Sequence, residues 1–198
     1  MGRPASDKRA KLIDAAAGAF HRRGIPRTSL ADVARAAGIA PGNTFYYFPA
    51  KDDLARAVVD EWCARVSAVL DEIDEEPDPW RRLEALLERA GGNRAAYAAT
   101  GCPIAALSRD LRQSGEGIGS DASRVYTMQR DWIEAQFASA GLPSAEAKAR
   151  ALFLLSGVQG SFLLGHAACD DRLIASGIDQ LRQWLDNIRG EAARRPRS

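Results

Sequence analysis

The sequence predicts an all-α protein: a small three-helix module at the N-terminus, followed by a larger helical module. Three observations predict it. Apolar residues recur at three- and four-residue spacing through most of the chain, no stretch alternates apolar and polar residues with period two, and glycine, proline and capping residues divide the chain into helix-length pieces. With 198 residues there is enough chain to bury a sizeable core in one small and one larger unit.

The spacing predicts a first helix over Ser6 to Arg23, with Leu12, Ala16 and Phe20 four apart and Ile13 and Ala17 beside them. Gly24 ends it, Ile25 tucks back onto Phe20, and Pro26 and Arg27 deliver the chain to Ser29. Ser29 caps a second helix beginning near Leu30, and Asp32 three residues on suits the reciprocal capping arrangement. Leu30, Val33, Ala34 and Ala37 make an apolar face too short to be stable alone. Gly38 stands where the chain leaves that helix through a left-handed conformation that other residues adopt only at a cost. Ile39 and Phe48 anchor a third helix. Between them Pro41, Gly42, Asn43, Phe45, Tyr46 and Tyr47 leave little that resembles a buried core. Leu12, Ala16, Phe20, Leu30, Val33, Ala34, Ile39 and Phe48 form the small core, braced by Leu54 and Val58 of the next helix.

That fourth helix runs as a long strut from Lys51 toward Ile73, and the acidic run Asp71 to Asp78 with Pro77 and Pro79 ends it. A helix carrying Trp80, Leu83, Leu86 and Leu87 follows, up to the Gly91-Gly92 break. Asn93 to Thr100 makes a short helix, and GCPIAALSRDL opens another with Pro103 in its first turn. SGEGIGS is loop by composition. Val125, Met128, Trp132, Ile133 and Phe137 mark a helix that stops at Gly141. In the penultimate helix Leu152, Leu155, Gln159, Phe162, Leu163 and His166 share one side, while Gly157, Gly160, Ser161 and Gly165 permit close backbone approach. In the last helix Ile174, Ile178, Leu181, Leu185 and Ile188 follow the four-three spacing of helices packed at a shallow angle. Two such helices from each of two copies make a four-helix bundle, or the pair only closes the monomer core; periodicity does not separate the two.

The net charge of +1 hides an uneven distribution. Residues 1 to 56 hold ten Lys/Arg against five acids, leaving the remainder net acidic; this favours a polyanion partner at the N-terminal end, although a solvated charged face gives the same count. Cys63, Cys102 and Cys169 are scattered and odd in number, with neither disulfide nor metal-ligand spacing, which fits a reducing cytoplasm. The longest apolar run, Ala149 to Ala168, is interrupted by Ser156, Gln159 and His166, so a soluble protein is expected. With two histidines, no Ser/His/acid grouping, no phosphate-cradling glycine loop and no metal cluster, neither an enzyme nor a cofactor is expected.

The ordered set Gly24, Ala34, Ala37, Gly38, Ile39, Phe45, Tyr46, Tyr47, Phe48, Lys51 and Leu54 resembles the DNA-binding helix-turn-helix of the tetracycline-repressor (TetR) family of bacterial transcription regulators, over residues 8 to about 54. Two positions depart from the pattern: Phe45 stands where most members have tyrosine, and Thr44 where most have an aliphatic residue. The resemblance implies a DNA-binding module at 1–50, an effector-binding and dimerisation module at 51–190, and a disordered tail at 191–198. It implies that Asn43 reads a base edge, that Pro41 and Gly42 allow close approach, and that Phe45 lies against a thymine methyl. Arg27, Thr28, Ser29, Tyr46, Tyr47 and Lys51 then contact the duplex mainly at phosphates, and Arg3 enters the minor groove.

A small-molecule pocket in the regulatory module would draw on Trp62, Tyr97, Cys102, Leu107, Met128, Trp132, Gln159, Phe162 and His166; the same residues at helical spacing also suit plain core. The resemblance favours a homodimer through Leu152, Leu155, Gln159, Leu163, Ile174, Ile178, Leu181, Leu185 and Ile188. Cys102 carries two readings: a thiolate favoured by the helix start before Pro103, as in the subset of the family that answers electrophiles or oxidants, or a small buried apolar side chain. The function implied is a homodimeric repressor released from a palindromic DNA operator by a small-molecule effector. The alternative is an architectural or partner-binding helical protein that uses DNA as a dock.

Overall fold

The computed structural model describes residues 5–113 and 119–194. Among the described residues every regular element is helical. The N-terminal helices are α1 (Ala5–Arg23), α2 (Leu30–Ala36), α3 (Pro41–Tyr47) and α4 (Lys51–Ile73). Then come α5 (Pro79–Gly92), α6 (Arg94–Thr100), α7 (Pro103–Gln113), a 3-10 turn (Ser120–Ser123), α8 (Arg124–Ser139), α9 (Ser144–Ala168) and α10 (Asp171–Ala193). Most of the SGEGIGS loop lies outside the described residues.

The chain divides into two compact units, residues 1–65 with 103–125 and residues 66–102 with 126–198. The first unit is therefore larger than the expected 1–50 module. It takes the first two thirds of α4 and all of α7, because Leu107 and Leu111 of α7 are buried in the same core as Leu12, Phe20, Val33, Phe48, Leu54 and Val58. One helix of 19 residues and two of seven bury too little apolar surface to stand alone, and α7 supplies part of what is missing. Ion pairs fasten the start of α8 and the 3-10 turn to α4: Arg124 to Asp60 at 2.8 Å, and Arg56 to Asp121 at 3.6 Å.

The second unit is built around α9 and α10. Its core joins Trp80, Leu83 and Leu87 of α5, Ile133 and Phe137 of α8, Leu154, Val158 and Phe162 of α9, and Ile174, Ile178, Leu181, Leu185 and Ile188 of α10. The two long helices approach closely where side chains vanish. A Cβ on Gly157 would meet Leu181 Cδ2 at 2.7 Å, one on Gly165 would meet Ile174 Cγ1 at 2.3 Å, and one on Gly177 would meet Ser161 Oγ at 2.1 Å. Of the expected tail at 191–198, the first residues are helical instead, since α10 continues through Ala193 with Ala192 packed on the core; residues 195–198 lie outside the described residues.

Despite its polar interruptions, α9 has the length and hydropathy to cross a membrane, by length and composition only, and 28% of that window is buried. The polar interruptions read from the sequence are too few to offset its leucines and alanines. Ala147, Ala151, Leu154, Val158 and Phe162 face the core, while Leu152, Phe153, Leu163 and Leu164 are exposed.

Candidate nucleic-acid interface

The site is built on two short helices whose ends are fixed by local chemistry. Ser29 is the N-cap of α2: its Oγ accepts from the Asp32 N–H at 3.1 Å, and its own N–H donates to Asp32 Oδ2 at 3.1 Å, closing the capping box. The Ser29 hydroxyl also donates to Asp32 Oδ2 at 2.7 Å. These hydrogen bonds, with help from Arg35 and Arg23, hold the Asp32 carboxyl at about 2. With its folded value depressed, the capping contribution is complete above the ordinary carboxylate range and is lost progressively as pH falls from there through about 2.

The exit from α2 is a complete Schellman turn. The Ile39 N–H donates to Ala34 O at 2.9 Å and the Gly38 N–H to Arg35 O at 3.2 Å, with Gly38 at φ +66°. A Cβ on Gly38 would meet nothing within 4 Å, so the backbone angle, not crowding, calls for glycine here.

Helix α3 starts on Pro41, whose missing N–H costs nothing at the first helical position. Its seven residues divide cleanly. Thr44 is buried and Phe48 just beyond the helix is 2% exposed, pinning α3 to the core, while Tyr47 is half-buried against it. Pro41, Gly42 and Asn43 are exposed, Phe45 is 59% exposed and Tyr46 is 82% exposed. Tyr46 and Tyr47 meet edge to face at 5.1 Å. Exposed aromatic rings on a helix anchored from behind form an apolar patch of the kind that marks an interaction surface.

The flanking residues are placed less uniformly. Arg27 and Ser29 are exposed. Lys51 is half-buried and its Nζ donates to Ile25 O at 3.0 Å; an ammonium has further N–H donors to offer a phosphate. Thr28 is a correction: it is 1% exposed and its hydroxyl donates to Gly24 O at 2.8 Å, so it builds the α1–α2 turn and has no surface to present to a duplex. Arg3 lies outside the described residues. Motif reasoning missed a basic concavity lined by Arg22, Arg23 and Arg35 around Asp32. The charge surplus of the N-terminal segment was its signal, but surplus charge does not name residues.

The residues expected to line one pocket are shared between the two units. Leu107 is buried in the first core, and Trp62 packs against it under the Arg65 guanidinium. Phe162 is buried in the second core, with Tyr97, Cys102 and Trp132 packed against it, and Tyr97 and Phe162 stack with centroids 4.1 Å apart. Trp132 Nε1–H donates to Asp74 at 3.1 Å. Met128 and Gln159 are half-buried. His166 is exposed on α9, not buried as expected; its Nδ1 lies 3.1 Å from Ala98 O and its ring covers Gly101.

Two arginines that could favour a Cys102 thiolate, Arg94 and Arg109, pair with Asp171 and Asp110. Cys102 instead shares a side-chain hydrogen bond with Tyr126, whose hydroxyl is pushed well up by burial and then by this neighbour. Burial likewise pushes the Tyr97 hydroxyl and the Cys63 thiol up.

The dimer residues expected on the last helix also need correction. Ile174, Ile178, Leu181, Leu185 and Ile188 are between 0% and 6% exposed within one chain, so their four-three seam is the monomer's own. On α9, Leu155 packs on the core from a half-buried position, whereas Leu152 and Leu163 are 59% and 68% exposed.

Comparison with known proteins decides the family. Residues 12–58 match the profile of bacterial regulatory proteins of the tetR family, and residues 79–180 match that of the LmrA/YxaF-like transcriptional regulator C-terminal domain. The chain belongs to the TetR family. The HTH-type transcriptional regulator TtgR of Pseudomonas putida is 40% identical over 76 residues, which are 35% of this chain and 36% of that protein. Those shares confine the match to about a third of either protein. An uncharacterized HTH-type regulator from the lacX 3′ region of Lactococcus lactis is 23% identical over 190 residues, covering 90% of this chain and 93% of that one. The crystal structure of a TetR regulator from Legionella pneumophila superposes with a TM-score of 0.78 at 19% identity, covering 95% and 99% of the two chains. TetR-family relatives are transcription regulators and not enzymes.

Within the TetR pattern, the departure at Thr44 has a physical consequence. Its Oγ1 is buried without a hydrogen-bond partner among the described residues, where an aliphatic side chain would leave nothing unpaired. Thr44→Val keeps the shape and removes the orphan. It is expected to stabilise the protein by about 1–3 kcal/mol, read as a higher midpoint in thermal or urea unfolding. An unchanged or lower midpoint would show that the hydroxyl finds a partner.

Proposed function

We propose that this TetR-family regulator is a homodimeric repressor that occupies a palindromic DNA operator and leaves it when a small-molecule effector binds. The observation that carries the reading is the outer face of α3, where Asn43, Phe45 and Tyr46 stand in solvent while Thr44 and Phe48 lock the helix from behind. Asn43 reads a base edge, a contact that contributes roughly 1–3 kcal/mol of discrimination, and Phe45 lies against a thymine methyl. Ser29, Arg27, Tyr46, Tyr47 and Lys51 hold phosphates and fix the register.

The second copy is supported by α9, which is apolar on both sides; a helix of that kind is covered all round in a stable protein. Its exposed residues Leu152, Phe153, Leu163 and Leu164 continue onto α10 through the Phe153–Trp184 contact at 4.7 Å. On the adjoining flank of α10 Leu173, Ser176, Gln180 and Asn187 are exposed, with Glu191 at its C-terminal end, while Asp179, Asp186 and Arg189 point further round the helix. Two such surfaces related by a two-fold axis bury each other's apolar residues. The recognition helices then fall about 34–36 Å apart or somewhat more, matched to half-sites of a near-palindrome.

For the effector, Tyr97, Phe162, Cys102 and Tyr126 supply ring faces, two neutral hydroxyls and a thiol in the second unit. An electrophile or oxidant acting at Cys102 would break its hydrogen bond with Tyr126. Diamide tests this: wild type should leave its DNA and Cys102→Ser should stay, whereas equal responses would remove the cysteine from the account. The wider reading is tested by enrichment from a pool of randomised 30-base-pair duplexes. A near-palindrome preferred over bulk DNA by about a thousandfold or more is expected. Binding without any enriched sequence would favour an architectural role instead.

A further inference from the structure

The turn between α1 and α2 is held by three side chains from three parts of the chain. Gly24, at φ +82°, has its carbonyl taken by the Thr28 hydroxyl at 2.8 Å. The Ile25 carbonyl accepts from Lys51 Nζ at 3.0 Å. The Ile25 N–H donates to Asp110 Oδ2 at 2.8 Å, a buried contact between residues 85 positions apart. Asp110 belongs to α7 and is 4% exposed, and Arg109 donates from Nε and Nη2 to its other oxygen at 3.2 and 3.1 Å. A Cβ on Gly24 would stand 2.8 Å from Asp110 Oδ2, so a side chain there would displace the carboxylate.

From this geometry we infer that Asp110 is a positioning residue for DNA binding, one that sets the path of the turn leading into α2 and hence the presentation of α3; the inference rests on the reading of α3 as the DNA-contacting helix. Ile25 is gripped on both sides of its backbone, by a carboxylate at the amide and an ammonium at the carbonyl. Hydrogen bonds to an ionised partner are roughly twice as strong as neutral ones, so neither of the two peptide planes that meet at Ile25 can rotate without losing one. α2 begins only five residues later, and its Schellman exit passes any change of direction on to α3. α7 itself is entered from Cys102, and the chain returns to the second unit at Tyr126; these two residues share a side-chain hydrogen bond. Affinity for DNA then depends on α7, a helix that does not itself contact the duplex.

The test compares Asp110→Ala and Asp110→Asn with wild type on two 30-base-pair duplexes, one carrying the palindrome that wild type enriches and one with that sequence scrambled. Asp110→Ala is expected to keep its helical circular dichroism, to lose tenfold or more of its affinity for the palindrome, and to bind the scrambled duplex within threefold of wild type. Asp110→Asn keeps an oxygen for the Ile25 N–H and should recover most of the loss. Should alanine unfold the module, Asp110→Glu carries the same test, since it keeps the charge but moves the carboxylate by one methylene. Palindrome affinity within twofold of wild type in a folded Asp110→Ala or Asp110→Glu protein overturns the inference, as does a parallel loss on both duplexes. If wild type itself prefers neither duplex, the DNA reading falls and takes this inference with it.

Discussion

Leu163→Arg is expected to give a folded monomer whose affinity for a palindromic duplex is at least a hundredfold weaker than that of wild type. Leu163 is 68% exposed on α9, so the substitution disturbs little inside one chain. In the proposed dimer it places one unpaired guanidinium from each copy in an apolar interface, and desolvating such a charge costs several kcal/mol. A monomer reaches only one half-site at a time. It therefore forfeits the effective concentration that links the two modules, a gain of about 10² to 10⁴ in bivalent systems. Light scattering after gel filtration, followed by titration of the enriched duplex, checks both parts. A Leu163→Arg protein that remains dimeric would place the interface elsewhere.

Gly165→Ala should cost about 1–3 kcal/mol of stability, as overpacking of a close-packed contact does. The added methyl would lie 2.3 Å from Ile174 Cγ1, 2.8 Å from its Cδ1 and 3.1 Å from Asp170 O. None of these can move aside easily: Ile174 is buried at the centre of the second core, and Asp170 O is backbone. Gly157→Ala makes a useful contrast, because its nearest neighbour at 2.7 Å is Cδ2 at the tip of Leu181, which can turn away. For a domain of this size the Gly165 substitution should lower Tm by roughly 2–4 °C per kcal/mol, with the smaller shift in Gly157→Ala. Equal shifts would mean that α9 and α10 separate as a pair.

The helix boundaries were legible because each end carries its own local chemistry. Ser29 with Asp32, Gly38, Pro41 and Pro103 are short-range signals, and the structure uses each as a cap, turn or first-turn residue. The outer face of α3 was legible for the same reason, since its aromatic residues break the apolar spacing. What the sequence concealed was long-range. Periodicity shows that Ile174 to Ile188 face something apolar but not which helix, and the partner is the monomer's own core. Thr28 reads as a surface hydroxyl beside Ser29, yet the turn rotates it inward onto Gly24 O. Asp110 looks like one charge among many on α7, and only the fold brings it to Ile25. Leu107 and Leu111 follow helical spacing that suits either unit, so the extent of the first unit was hidden as well.

The reading of α3 is tested most directly by measuring Asn43→Ala against wild type on the enriched palindrome and on every single-base variant of one half-site. Expected are a loss of about 1–3 kcal/mol on the palindrome, a relaxed preference at one position in the half-site, and unchanged affinity for scrambled DNA. An equal loss on every duplex, or no loss on any, would contradict base reading by this helix.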